Sequence, residues 1–131
     1  MANPNLLAAT TAAGTVAFLT PGGTSALVLI RNAASSSTVL KINQIVAANV
    51  NGSTAVDTTV SIYTNGGVAP GSAPSGGTAY PIVSTVSVPA DASLIVVDKT
   101  TGIYLMEDQS ISVTSGTASG ISYTVSYEII S

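Results

Sequence analysis

Cysteine, histidine and tryptophan are all missing from this sequence, and charge is scarce. Without cysteine there is no disulfide framework and no thiolate to act as nucleophile or metal ligand. Without histidine the usual general base and the commonest metal ligand are gone. Charged residues make up 7% of the chain, against about 25% in an average domain. The three cations, Arg31, Lys41 and Lys99, are scattered. They form neither the basic stripe that tracks phosphates nor a patch for a membrane surface, so neither nucleic acid nor membrane is expected as a partner. With six carboxylates the net charge is −3.

Uncharged polar and apolar residues fill the space. Apolar residues make up 46% of the 131 positions, and 35 are Ser or Thr. One domain is expected at this length. A surface built from hydroxyls instead of charges offers little repulsion between copies, which suits a subunit whose surface is covered by partners. Met1–Thr20 has no basic residue ahead of its apolar stretch, as a secretory signal would. Thr10, Thr11, Gly14 and Thr15 interrupt Leu6–Leu19, making it a poor membrane span.

Alternation with period two dominates the chain. In Ile121–Ile130, residues Ile121, Tyr123, Val125, Tyr127 and Ile129 share one parity, while Ser122, Thr124, Ser126 and Glu128 share the other. Similar runs predict strands over Ser25–Arg31, Thr38–Val50, Val56–Tyr63, Ala79–Val88, Ser93–Val97, Gly102–Met106 and Gln109–Thr114. Thr15–Leu19 supplies one more candidate. In Thr38–Val50 the residues Leu40, Ile42, Val46, Ala48 and Val50 are expected on one face. In Ser25–Arg31 Leu27 and Leu29 are expected opposite Val28 and Ile30. Leu94–Val97 reads as buried on both sides, and Pro81 argues for an edge position. Ser115–Gly120 reads as a hairpin joining the last two strands, and Gly66–Gly77 as a long exposed loop. The expectation is an all-β, antiparallel two-sheet sandwich of 8–9 strands, jelly-roll or immunoglobulin-like. Residues 21–131 would form it, and residues 1–20 would be an N-terminal arm or its first strand.

Candidate chemistry is thin. Asp91, Asp98 and Asp108 fall in or beside turns, and Asp57 and Glu128 on the polar parity of their strands. Serine is abundant, but no base is present to activate it. Glu107 and Asp108 follow Asp91 and Asp98 without calcium-loop spacing. No catalytic, cofactor-binding or metal-binding residue is therefore assigned, and no enzyme activity is expected. Asn51-Gly52-Ser53 matches the glycosylation triplet but reads more simply as a turn. Tyr123 and Tyr127 are expected in the core with their hydroxyls at its rim.

The segment Val88-Pro89-Ala90-Asp91-Ala92-Ser93-Leu94-Ile95-Val96-Val97 is followed by Ile103-Tyr104-Leu105-Met106-Glu107-Asp108-Gln109-Ser110-Ile111 and, in the last strand, by Ser126-Tyr127-Glu128. This series resembles small β-sandwich virion structural proteins of tailed bacteriophages, especially cyanophages, over roughly the last 45 residues. Gln109 departs from it, standing where a Gly-Asp pair would precede the serine. The resemblance implies a capsid decoration or cement protein that stabilises the head through contacts with the major capsid protein or other virion proteins. A tail, neck or fibre-base component is the nearest alternative, and a carbohydrate- or receptor-binding sandwich a more distant one. It also implies a virion location after assembly in the host cytoplasm. The low charge adds an expected homo-oligomer, with a trimer as the first expectation.

Overall fold

A computed structural model of the chain describes residues 6–131. The first five residues of the expected arm lie outside the described residues. Nine strands form: β1 (Ala12–Leu19), β2 (Leu27–Asn32), β3 (Val39–Asn49), β4 (Val56–Tyr63), β5 (Ala79–Val88), β6 (Ser93–Val97), β7 (Ile103–Leu105), β8 (Gln109–Ser115) and β9 (Ile121–Ile130). Single 3-10 turns at Leu6–Ala8 and Lys99–Thr101 are the only helical pieces among the described residues.

The strands make a two-sheet sandwich. Sheet A runs β1-β9-β3-β6, with β7 also paired to β3, and sheet B runs β2-β8-β4-β5. Every pairing is antiparallel. Partners nest in sequence: β4 with β5, β3 with β6 and β7, β2 with β8, β1 with β9. A long hairpin closing at residues 64–78 is thus rolled into two layers. That is the jelly-roll winding, and it decides against the immunoglobulin-like alternative. The N-terminal segment contributes β1, which pairs with β9 over its whole length.

The core lies between the sheets. Ile42, Ile45, Val125 and Tyr123 come from sheet A, and Val56, Val60, Ile111 and Val113 from sheet B. Alternation accounts for most of these residues, and register shifts in β2 and β3 account for the exceptions. In β3 the register against β9 shifts between Ile42 and Gln44. The extra residue reverses the parity, so Ile45, Ala47 and Asn49 point inward while Val46, Ala48 and Val50 point out. In β2 a shift between Val28 and Ile30 puts Leu29 and Ile30 together in the core and Val28 on the opposite face. Strand β6 is not buried on both faces, because it is the edge of sheet A and Ile95 is 56% exposed.

Ser115–Gly120 is not a hairpin. Strand β8 already has β2 and β4 on its two sides, so the chain must cross to sheet A to form β9. The crossing is held by bonds from Gly116 N to Asp57 O (2.8 Å), Ser119 N to Pro21 O (2.9 Å) and Val50 N to Gly120 O (3.0 Å). Pro81 does lie on an edge strand, β5.

Two buried asparagines fix neighbouring corners. Asn32, closing β2, donates to Thr38 O (2.9 Å) and Leu105 O (3.0 Å). Asn49, closing β3, donates to Thr54 O (3.0 Å) and Val88 O (2.9 Å) and accepts from Asn51 N (2.8 Å). Each satisfies carbonyls that a change of sheet would otherwise strand in the interior.

Candidate interaction surface

The six carboxylates are dispersed, and Asp98, Glu107, Asp108 and Glu128 each accept a local hydrogen bond. Asp98 caps the turn over Lys99–Thr101 and accepts from Thr100 N and Thr101 N. Side-chain hydrogen bonds from Thr100 and then Thr101 hold its carboxyl below the ordinary value. Glu107 accepts from Ser37 N, Asp108 from Gly66 N, and Glu128 from Asn43 Nδ2. Asp57 is exposed on β4. Among the described residues no three His, Cys, Asp or Glu side chains converge to hold a metal ion. Asn51 folds its side chain onto Ser53 N (2.9 Å) and Thr54 N (3.2 Å), the turn expected there. Tyr123 departs from expectation: its hydroxyl is buried, donating to Thr114 O (2.8 Å) and hydrogen-bonding with Thr58 of the opposite sheet. Burial raises the phenol pKa of Tyr123, and of Tyr127 as well.

The two outer faces differ. On sheet B, the outward row Val28, Ser112 and Ser61 is buried. The 64–78 loop, exposed as expected, is tied down there. It runs along β2, with bonds from Arg31 Nη1 to Gly67 O, Val28 N to Ser72 O and Gly71 N to Val28 O. It then returns past Tyr63, whose hydroxyl accepts from Gly77 N. No side chain fits at Gly66, where a Cβ would stand 2.3 Å from Asn32 O.

Among the described residues the outer face of sheet A is open. Its register aligns Phe18, Thr124, Val46 and Ile95 in one row across β1, β9, β3 and β6. Phe18 is 75% exposed and Val16, two residues earlier on the same face, 53%. A second row aligns Tyr104, Lys41, Glu128 and Gly14. Lys41, Tyr104 and Glu128 line a cleft of about 430 Å³ with Thr10, Thr11 and Ile130. Lys41 and Glu128 are the only charges that the paired strands place on this face.

Neither family models, curated proteins nor solved structures match this chain.

The sheet edges complete the surface. Exposed edges usually carry a charge, a proline, a bulge or a cover that prevents pairing with another chain. Strand β2 has the loop and Arg31. Strand β5 has Pro81 and two register shifts. Strand β6 is five residues long with a shifted register. Strand β1 is eight residues long, uncharged, proline-free and in unbroken register. That this segment is uncharged belongs to the sequence; its place at an edge is a property of the topology.

Proposed function

We propose that the protein is a structural component of a virion, a decoration protein that cements a bacteriophage head by protein–protein contact. The observation that supports this most is the open outer face of sheet A, apolar and hydroxyl-rich, with two charges and an unguarded edge beside it. Apolar area there gains about 25 cal/mol per Å² on being covered, with little charge to desolvate. The jelly roll is used by viral capsid domains and by lectins alike, so the fold alone does not choose between them. The major capsid protein is the proposed partner, seated against the Phe18–Ile95 row.

The test is copy number in purified particles carrying the gene, with rebinding of the purified protein to stripped shells. Many copies per particle support a coat on the head. A few copies place the protein in the tail or neck. Absence from particles overturns the reading. Ile95→Lys, at an exposed outer position, should reduce shell retention without lowering the melting temperature. The cleft beside Tyr104 is the one feature that favours a sugar ligand, and binding on a glycan array, lost in Tyr104→Ala, would move the assignment there.

A further inference from the structure

Gly14 lies inside β1, where glycine weakens a strand for want of a side chain to pack. Nothing among the described residues requires it. Its φ is not positive, the β1–β9 register has no bulge, and a Cβ built there meets nothing within 4 Å. Glycine inside a strand also occurs where another backbone or ligand approaches closely, and here the space above it opens to the outside of the molecule. Four residues on, and on the same face, Phe18 is the most exposed aromatic side chain described. Val16 lies midway between them.

We infer that β1 pairs with β1 of a second copy, antiparallel about a two-fold axis through Val16, so that Phe18 of each copy covers Gly14 of the other. Ser131 and Thr11 exchange both backbone bonds. Alternation along an antiparallel ladder then turns the N–H and C=O groups of Ala12, Gly14, Val16 and Phe18 away from β9, toward the free edge. Centring the pair on Val16 places Val16 against its own copy and Gly14 against Phe18, bringing these outward groups into register with one another. An aromatic ring lying over a cross-strand glycine restores the packing that the glycine lacks. Self-pairing would bring any charges of the strand against those of its copy, and no charged side chain occurs in the first 30 residues to oppose it. The axis stands perpendicular to the sheet. Sheet A therefore continues from one copy into the next, with both outer faces on the same side. The contact is isologous and closed. It differs from the trimer expected from composition.

A single strand pair removes on the order of 1,000 Å² in total, at the lower limit for a specific interface. The free protein should accordingly form a weak, concentration-dependent dimer. The inference uses the same sheet as the assembly reading, but it needs no particle and can fail separately from it.

Sedimentation of the full chain over a concentration series should show monomer giving way to dimer. Gly14→Val should weaken dimerisation at least tenfold by colliding with the partner's Phe18. At concentrations where the wild type is monomeric, the same change should leave melting unchanged or raise it, since the added Cβ meets nothing within 4 Å among the described residues. Val16→Cys, in a chain with no other cysteine, should oxidise to a covalent dimer faster than Ser87→Cys on the outer side of sheet B. A monomer at every concentration up to about 1 mM, the weak end of specific binding, would overturn the inference. So would a dimer indifferent to Gly14→Val, or one in which Val16→Cys gains no advantage. Shell retention that survives loss of the dimer would leave the assembly reading standing alone.

Discussion

Removing the Tyr123 hydroxyl tests how the two layers are joined. Tyr123 extends from β9 in sheet A, fully buried, and its hydroxyl meets Thr114 O and the Thr58 hydroxyl, both in sheet B. This polar contact bridges the sheets through the core, as Asn32 and Asn49 bridge them at the corners. Tyr123→Phe keeps the ring but leaves the Thr58 hydroxyl with a long 3.4 Å contact to Thr114 O. A buried hydrogen bond lost this way costs about 1–2 kcal/mol, or roughly 3–6 °C of melting temperature for a domain of this size. Thr58→Val should cost a similar amount, because it removes the donor to the phenol oxygen and leaves that group only its own bond to Thr114 O. The double variant, with both polar partners replaced, should be little worse than either single change, a coupling of about 1 kcal/mol. Equilibrium urea unfolding of the four proteins measures it. Costs that add to within about 0.5 kcal/mol would refute the bridge. The pH dependence gives a second readout. Burial raises the folded pKa of Tyr123, so the unfolded phenol ionises first. The stabilisation is fully present below the unfolded value near 10 and is lost as pH climbs through the folded one. Tyr123→Phe should flatten part of that alkaline decline, with Tyr127 supplying another part.

Asn49→Ala strands the carbonyls of Thr54 and Val88 and the amide of Asn51, and should cost about 2–3 kcal/mol in chemical unfolding. Gly66→Ala forces a Cβ to 2.3 Å from Asn32 O; the 64–78 loop should detach, and hydrogen exchange at Val28 N and Gly71 N should accelerate ahead of the core. Asp98→Ala should loosen residues 99–101 in the same experiment. Because hydrogen bonds hold the Asp98 carboxyl below its ordinary value, the wild-type turn keeps its cap above that value and loses it as pH falls through the lowered one.

Local pattern was enough for the strands, because a half-buried strand must alternate and a turn must use residues suited to it. The alternating runs Ala79–Val88 and Ser93–Val97 coincide with β5 and β6 to the residue, and Pro81 marks β5 as an edge. The all-β sandwich follows from the same pattern. What alternation cannot carry is phase across a bulge. One extra residue near Asn43 sends Ile45 inward instead of Val46, and one near Leu29 puts two successive residues in the core. Nor can it distinguish a hairpin from a change of layer. Ser115–Gly120 has turn chemistry either way, and only the occupied flanks of β8 send β9 to the other sheet. The roles of Asn32 and Asn49 leave no mark in the sequence, since the carbonyls they satisfy are distant in sequence and become neighbours only at the corners. The candidate surface divides in the same way. Composition by itself determined that the first 30 residues carry no charge and that the surface repels its own copies weakly. The tertiary structure alone decided that β1 is an edge, that Gly14 and Phe18 share its outer face, and that the other edges are guarded while this one is open. The reason is physical: an edge exists only once every other strand has found its neighbours.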